Sequence, residues 1–142
     1  MDWRATTSQV AQEDLDGLFA DSLRAAAVAL AHQNFTPFML VIERSGDRSF
    51  RELGAMVCSD EPAVVGALQL DSDSSTLRAR ATVLDVTVRA PFTGDAIKVK
   101  LEHSEGVAID MLVPYRASDD GITVAVEEAT GAVAVPSLWP TQ

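Results

Sequence analysis

The sequence has few of the residues that disulfide-stabilised or nucleic-acid-binding proteins require. Cys58 is the only cysteine among 142 residues, so no disulfide can form within the chain. Lysine and arginine number 11 against 21 aspartates and glutamates, which gives a formal net charge of -10. A negative surface repels phosphate backbones and anionic membrane surfaces. We therefore expect neither a nucleic-acid partner nor a membrane partner.

Long hydrophobic runs and targeting segments are also lacking. The longest apolar run, Ala25 to Ala31, is too short to span a bilayer. The first residues show no basic stretch followed by an apolar one, the pattern of a secretory signal peptide. With its single cysteine, this predicts a cytoplasmic protein in which Cys58 acts as a small buried hydrophobic residue.

The common catalytic and cofactor motifs are absent as well. The chain contains no phosphate-binding P-loop, no dinucleotide-binding glycine pattern, no H-E-x-x-H zinc motif and no G-x-S-x-G nucleophile motif. From motifs we predict no catalytic residue, no metal site and no cofactor. Enzymes built from scattered residues remain open, because this search does not detect them.

What the chain does have is an apolar fraction of 47%, typical of a globular protein, and we predict one domain over residues 1–142. From Ser8 to Gln33 apolar residues recur at helical spacing. The run Phe38 to Ile42 is apolar at both odd and even positions, which predicts a strand covered on both faces. Ser45-Gly46-Asp47 then leads into Arg48 to Leu53, so this part predicts a β-hairpin.

The second half changes from helical to strand periodicity. Pro62 near a helix-start signal predicts a short helix over Ala63–Leu70. Alternation typical of strands follows in five segments, which are Leu84–Val88, Ile97–His103, Val107–Arg116, Ile122–Glu127 and Ala132–Val135. We therefore predict an α+β fold with a mostly antiparallel sheet of five to seven strands. Its order is helix, hairpin, helix and β-meander, with the sheet packed against one long and one short helix.

The stretch Leu101–Arg116, LEHSEGVAIDMLVPYR, predicts the register of one hairpin. A turn through Ser104 and Glu105 with a left-handed Gly106 places His103 opposite Val107. The remaining cross-strand pairs then follow: Leu101 with Ile109, Val99 with Met111, Ile97 with Val113 and Lys100 with Asp110. Pro114 within the second strand predicts a bulge or an unpaired edge.

The candidate ligand-binding residues are His103, Tyr115 and Arg116. We favour a structural role for His103, because neighbouring strand residues diverge and no convergent partners are evident in the sequence. Tyr115 is expected at the edge of the core with its hydroxyl at the rim. The alternative places all three residues at the mouth of a pocket between the first helix and the meander.

Charged residues on the helix and on one strand form the other candidates. Asp14 and Asp21 are expected off or beside the apolar stripe of the helix. Arg78, Arg80 and Arg89 are the one basic concentration, and strand alternation puts Arg78 and Arg80 on the same face. We favour salt bridges to nearby carboxylates over the docking of an acidic partner.

A resemblance rests on the segment Asp95–His103, DAIKVKLEH, followed by Gly106 and by Pro114-Tyr115. This segment resembles small acidic bacterial proteins of unknown function, often from actinobacteria. The resemblance covers about 25 residues. It implies a cytoplasmic single domain with no activity, cofactor or catalytic residue to carry over.

A clear fold pattern without a catalytic constellation favours a non-enzymatic protein-binding or assembly domain. We expect a homodimer that uses the first helix or a sheet edge to bury apolar surface. Two alternatives stay open at this point. One is a small-molecule sensor or enzyme with a pocket near His103 and Tyr115, and the other is an immunity or chaperone-like protein that neutralises a basic partner.

Overall fold

A computed structural model describes residues 7–32, 35, 37–52, 76–89 and 93–134, without the side chains of residues 51 and 52. Cys58 and the predicted short helix Ala63–Leu70 lie outside the described residues. The elements are helix α1 (Gln9–Ala31) and strands β1 (Phe38–Glu43), β2 (Arg48–Glu52), β3 (Leu77–Val88), β4 (Gly94–His103), β5 (Val107–Ser118), β6 (Gly121–Val124) and β7 (Thr130–Val133). This arrangement confirms the predicted α+β fold. In the part of the chain so described, no helix has the length and apolar character needed to cross a membrane.

The seven strands form one antiparallel sheet. Its order is β2-β1-β3-β4-β5-β6, and β7 also pairs with β5. The predicted meander is therefore confirmed from β3 to β6, although β3 begins at Leu77 and not at Leu84. The last part of the meander differs. The strand predicted over Ile122–Glu127 ends at Val124 and is followed by a 3₁₀ turn, Val126–Glu128. The strand predicted over Ala132–Val135 is Thr130–Val133, which returns to β5.

Pro114 explains why β6 and β7 are separate strands on the same side of β5. Tyr115 pairs with Val124 and Leu112 pairs with Thr130, so residues 125–129 lie opposite only residues 113 and 114. Proline has no N–H to donate to a neighbouring strand. Its carbonyl still accepts a hydrogen bond from the N–H of Ala125 at 2.9 Å. The segment that follows β6 leaves the ladder where Pro114 offers no donor. Of the two outcomes predicted at this residue, a bulge or an unpaired edge, the structure has the unpaired edge.

Helix α1 begins at an N-cap and buries one face on the sheet. The Ser8 side chain accepts a hydrogen bond from the N–H of Ala11, which satisfies one of the free donors of the first turn. The buried residues of α1 follow the spacing of three and four expected for an amphipathic helix; they are Ala11, Asp14, Leu15, Leu18, Ser22, Leu23 and Ala26. The prediction that Asp14 lies off or beside this stripe is wrong, because Asp14 is one of its buried residues, with an exposed fraction of only 7%.

The main core lies between α1 and one face of the sheet. Leu15, Leu18 and Ala26 pack there against side chains of four strands: Phe38, Ile42, Ala79, Ala81, Val83, Ile97, Val99, Leu101, Ile109 and Val113. The opposite face of the sheet is also covered, since Met39 and Val41 are fully buried. Burial on both faces of β1 confirms the prediction made from its apolar run.

The β4–β5 hairpin has the predicted register. His103 pairs with Val107, Leu101 with Ile109, Val99 with Met111, Ile97 with Val113 and Lys100 with Asp110. Gly106 has a positive φ of 93° and its N–H donates to the carbonyl of His103 at 3.0 Å. A residue with a side chain adopts this backbone conformation at a cost, so the glycine fixes the turn and the turn fixes the register.

We expect Gly106→Ala to lower the free energy of unfolding by about 1–2 kcal/mol, because the positive φ disfavours a Cβ. Gly17→Ala is the matched control, since Gly17 is in α1 and alanine favours helices by about 1 kcal/mol. A Cβ at Gly17 would lie 2.7 Å from Nη2 of Arg48, but that atom ends a flexible side chain. Urea unfolding should show opposite shifts in the two variants; equal midpoints would contradict the turn argument.

Candidate functional site

Asp14 is at the centre of a buried polar cluster between α1 and one end of the sheet. Its Oδ2 accepts a hydrogen bond from Nε of Arg78 at 2.9 Å, and its Oδ1 accepts from Nη2 of Arg78 at 3.0 Å. The same Oδ2 lies 2.9 Å from Nε2 of His103. The guanidinium thus binds the carboxylate through two parallel bonds, a strong and directional arrangement.

Both ring nitrogens of His103 are occupied by contacts within the chain. Nδ1 accepts a hydrogen bond from the N–H of Glu105 at 3.1 Å, so the ring proton is on Nε2, which donates to Asp14. The exposed fraction of His103 is 2%. Neither nitrogen is free to accept a proton from a substrate or to bind a metal, and this geometry supports the structural role.

The same cluster holds the start of the helix on the tip of the β4–β5 hairpin. The carboxylate of Glu105 accepts hydrogen bonds from the N–H and the hydroxyl of Ser8, the N-cap residue of α1. A negative charge at the N-terminus of a helix is favourable, because unsatisfied N–H groups leave a partial positive charge there. Asp14, Glu105 and Ser8 therefore fix both the position and the direction of α1.

An irregularity in β3 turns Arg78 toward the helix. Ile42 pairs with Ala79 while Glu43 pairs with Leu77, so Arg78 is the extra residue of a β-bulge. Without the bulge, Arg78 and Arg80 would share a face, as strand alternation predicts. That prediction is wrong, because Arg78 contacts Asp14 on the helix side and Arg80 contacts Glu102 on the other side.

The other face of the sheet carries two ion pairs. Nη2 of Arg80 donates to Oε1 of Glu102 at 3.1 Å, and both side chains are almost fully buried. Burial lowers the pKa of the Arg80 guanidinium, and the charge of Glu102 opposes this shift. Lys100 binds Asp110 on the adjoining strand at 3.2 Å. The salt bridges favoured for Arg78 and Arg80 are thereby confirmed.

Tyr115 and Arg116 lie far from His103. Val107 is the partner of His103, and Tyr115 is eight residues further along β5, a separation of about 26 Å at 3.3 Å per residue. The hydroxyl of Tyr115 donates to Oδ1 of Asp85 at 2.6 Å, and its ring packs at the edge of the core as predicted. Arg116 is exposed and points to the opposite face. The structure does not bring the three candidate residues together.

The cleft beside α1 lies at the first hairpin, away from all three of those residues. It has a volume of about 180 Å³ and is lined by Leu18, Asp21, Leu40, Arg48, Ser49 and Phe50. Nη1 of Arg48 donates to Oδ2 of Asp21 at 2.6 Å, so the two charges at its rim are paired. Among the described residues, no group of three or more potential metal ligands is close enough to hold an ion.

Two of the outer strands of the sheet, β2 and β7, expose apolar side chains. Phe50 on β2 is 49% exposed and stacks on Phe38 with ring centroids 5.0 Å apart. All four residues of β7 are exposed, and Val133 is 60% exposed. Within the described ranges, no further strand pairs with the outer side of β2 or β7.

Comparisons with known proteins give no family: the chain matches no family model, no curated protein and no solved structure. The resemblance to small acidic actinobacterial proteins stays a prediction.

We expect Asp14→Ala to lower the free energy of unfolding by about 3 kcal/mol, because it leaves His103 and Arg78 without their acceptor. Glu13→Ala is the matched control, because Glu13 is the preceding residue and is exposed. Its one contact within the described residues is a surface hydrogen bond that it accepts from Gln9. Its loss should stay within about 0.5 kcal/mol. Chemical unfolding measures both, and similar losses would show that Asp14 does not organise the cluster.

The pKa of Tyr115 is raised above its usual value of about 10, mainly because the side chain is buried at the core edge. The hydrogen bond to Asp85 and the charges of Asp85 and Asp95 raise it further. Tyr115 is the only tyrosine, so its phenolate absorbance reports on one site. We expect this absorbance to appear at higher pH than in free tyrosine, and at lower pH in Asp85→Asn than in the parent protein. A folded-state midpoint near that of free tyrosine would contradict the contact.

The sign of the linked stability follows from that shift. A pKa raised on folding means that the contribution of Tyr115 to stability is fully present below the unfolded pKa. The contribution is lost as the pH rises from there through the folded pKa. Stability measured across this alkaline range should fall less steeply in Asp85→Asn, and circular dichroism should confirm that each sample is still folded during the titration.

Proposed function

We propose that this chain is a non-enzymatic protein-binding or assembly domain that forms a homodimer through the outer strand β2. The observation that carries the proposal is Phe50, a large aromatic side chain that is half exposed on an open strand. The candidate chemical groups favour the same conclusion. His103 and Tyr115 are both engaged inside the fold, the first with Asp14 and the second with Asp85.

The surface around Phe50 has the character of a protein interface. Phe50 adjoins Leu18 and Leu40 in the cleft between α1 and the first hairpin. Aromatic anchors surrounded by apolar side chains dominate the binding energy of many interfaces. The backbone of β2 has a free outer side among the described residues, so a partner strand can add hydrogen bonds to this apolar contact.

A second copy of the chain fits this surface. Antiparallel pairing of β2 with its copy about a twofold axis at Phe50 sets the two phenyl rings against each other. Such an interface is closed, because both copies use the same residues. Arg48 lies two residues from the axis, and its bond to Asp21 neutralises its charge within its own chain. The two arginines therefore do not prevent the approach.

We expect light scattering at high micromolar concentration to give the mass of a dimer for the parent chain and of a monomer for Phe50→Ser. Because Phe50 is half exposed, this substitution should leave the fold intact, which far-ultraviolet circular dichroism checks. Val28→Ser is the matched control, since Val28 is 60% exposed but lies on α1. It should remain a dimer.

A monodisperse monomer for the parent chain would defeat the homodimer. A dimer that persists in Phe50→Ser would place the interface on another surface. A monomer in Val28→Ser with a dimer in Phe50→Ser would transfer the interface to the helix.

A further inference from the structure

We propose that the opposite edge of the sheet binds an extended, positively charged segment of a partner protein, which adds as a strand to β7. This inference rests on the proposed binding role and extends it by giving the chemistry of the partner. It concerns a second surface, separate from Phe50, so the two can be tested independently.

The backbone of β7 offers a defined set of free hydrogen-bonding groups. Ala134 donates its N–H to the carbonyl of Ala108 at 2.9 Å, so this N–H faces β5. In an antiparallel ladder the direction alternates from one residue to the next, so Ala132 also faces β5. Gly131 and Val133 therefore direct their N–H and carbonyl groups away from the sheet. No strand of the described residues pairs with them.

The side chains along this edge supply apolar contacts. Val133 is 60% exposed, and Val126 in the preceding 3₁₀ turn is 50% exposed. The missing side chain at Gly131 leaves room for Met111, since a Cβ there would lie 2.6 Å from Sδ. A glycine in a strand often marks a place where another chain approaches closely. An added strand would find apolar surface beside its hydrogen bonds.

The charged residues of β6, β7 and the turns before them have one sign. After Arg116 the sequence contains no lysine, arginine or histidine. Four exposed carboxylates occur in the same part of the chain: Asp119 and Asp120 in the turn before β6, and Glu127 and Glu128 in the turn before β7. Within the described residues none of the four makes an ion pair. Opposite charges across an interface speed association and select the partner, so a basic segment is the complementary one.

The same charges disfavour a second copy of this chain at β7. Antiparallel pairing of β7 with its copy would bring Glu127 and Glu128 of the two copies to the same interface. Like charges placed together across an interface are costly. The lack of a cation in β6 and β7 means that neither copy could neutralise the other there.

The probe is a fluorescein-labelled peptide, TKVRVKVRT, which alternates basic and apolar residues as an added strand requires. We expect saturable binding by fluorescence anisotropy at about 50 mM salt and at least tenfold weaker binding at about 500 mM salt, because salt screens exposed charges. An acidic counterpart, TEVEVEVET, should not bind. A peptide with two adjacent N-methylated central residues should also fail, since neither of its edges stays intact.

Two variants of the protein test the edge directly. Val133→Pro removes an N–H that faces away from β5, so the ladder with β5 is retained while strand addition is blocked. We expect at least a tenfold loss of peptide affinity. Val133→Thr keeps that N–H and should bind within about threefold of the parent chain. Glu127→Gln combined with Glu128→Gln should weaken binding several-fold and reduce its dependence on salt.

Equal binding by Val133→Pro and Val133→Thr, or full binding of the N-methylated peptide, would overturn strand addition and leave only charge attraction. No binding by the parent chain would overturn the inference, while a dimer lost in Phe50→Ser would still support the proposed function. Conversely, a change in oligomeric mass in the Val133→Pro variant would show that a second copy, not a basic segment, occupies β7.

Discussion

The buried carboxylate of Asp14 is the interaction on which the arrangement of helix and sheet depends. A charge placed inside a protein must be compensated by partners, and here Arg78 and His103 supply them from two different strands. Because both partners are directed at one group, the helix can dock in only one position along its axis. The leucines of α1 supply most of the attraction, whereas the polar cluster supplies the specificity.

The sequence was sufficient where local rules decide the structure. The turn at Gly106 and the alternation of Leu101 and Val99 determined the register of the β4–β5 hairpin, and all predicted pairs are present. It was insufficient where one irregular residue changes the direction of a side chain. The bulge at Arg78 left no local signal, so the partnership with Asp14 could not be predicted. Asp14 did leave a signal, since it is three residues after Ala11 and four before Leu18.

The candidate site was predicted less well than the fold, for a physical reason. His103, Tyr115 and Arg116 are near one another in the chain, but an extended hairpin carries such residues apart. Their chemical groups are instead used to connect neighbouring elements. The surfaces that remain available are the outer strands, and these differ in character: β2 has an aromatic side chain, and β7 has open backbone beside carboxylates.

The Asp14 cluster also affects the order in which the chain can fold. Asp14 and His103 are separated by 89 residues, and Ser8 and Glu105 by 97. During synthesis at about 5–20 residues per second, α1 leaves the ribosome roughly 5–18 s before its anchor on the hairpin is made. Over that interval the apolar stripe of α1 has no sheet to cover it. Contacts so distant in sequence also make folding slow compared with that of helical bundles. The newly made helix therefore has an uncovered apolar stripe until the β4–β5 hairpin has been synthesised.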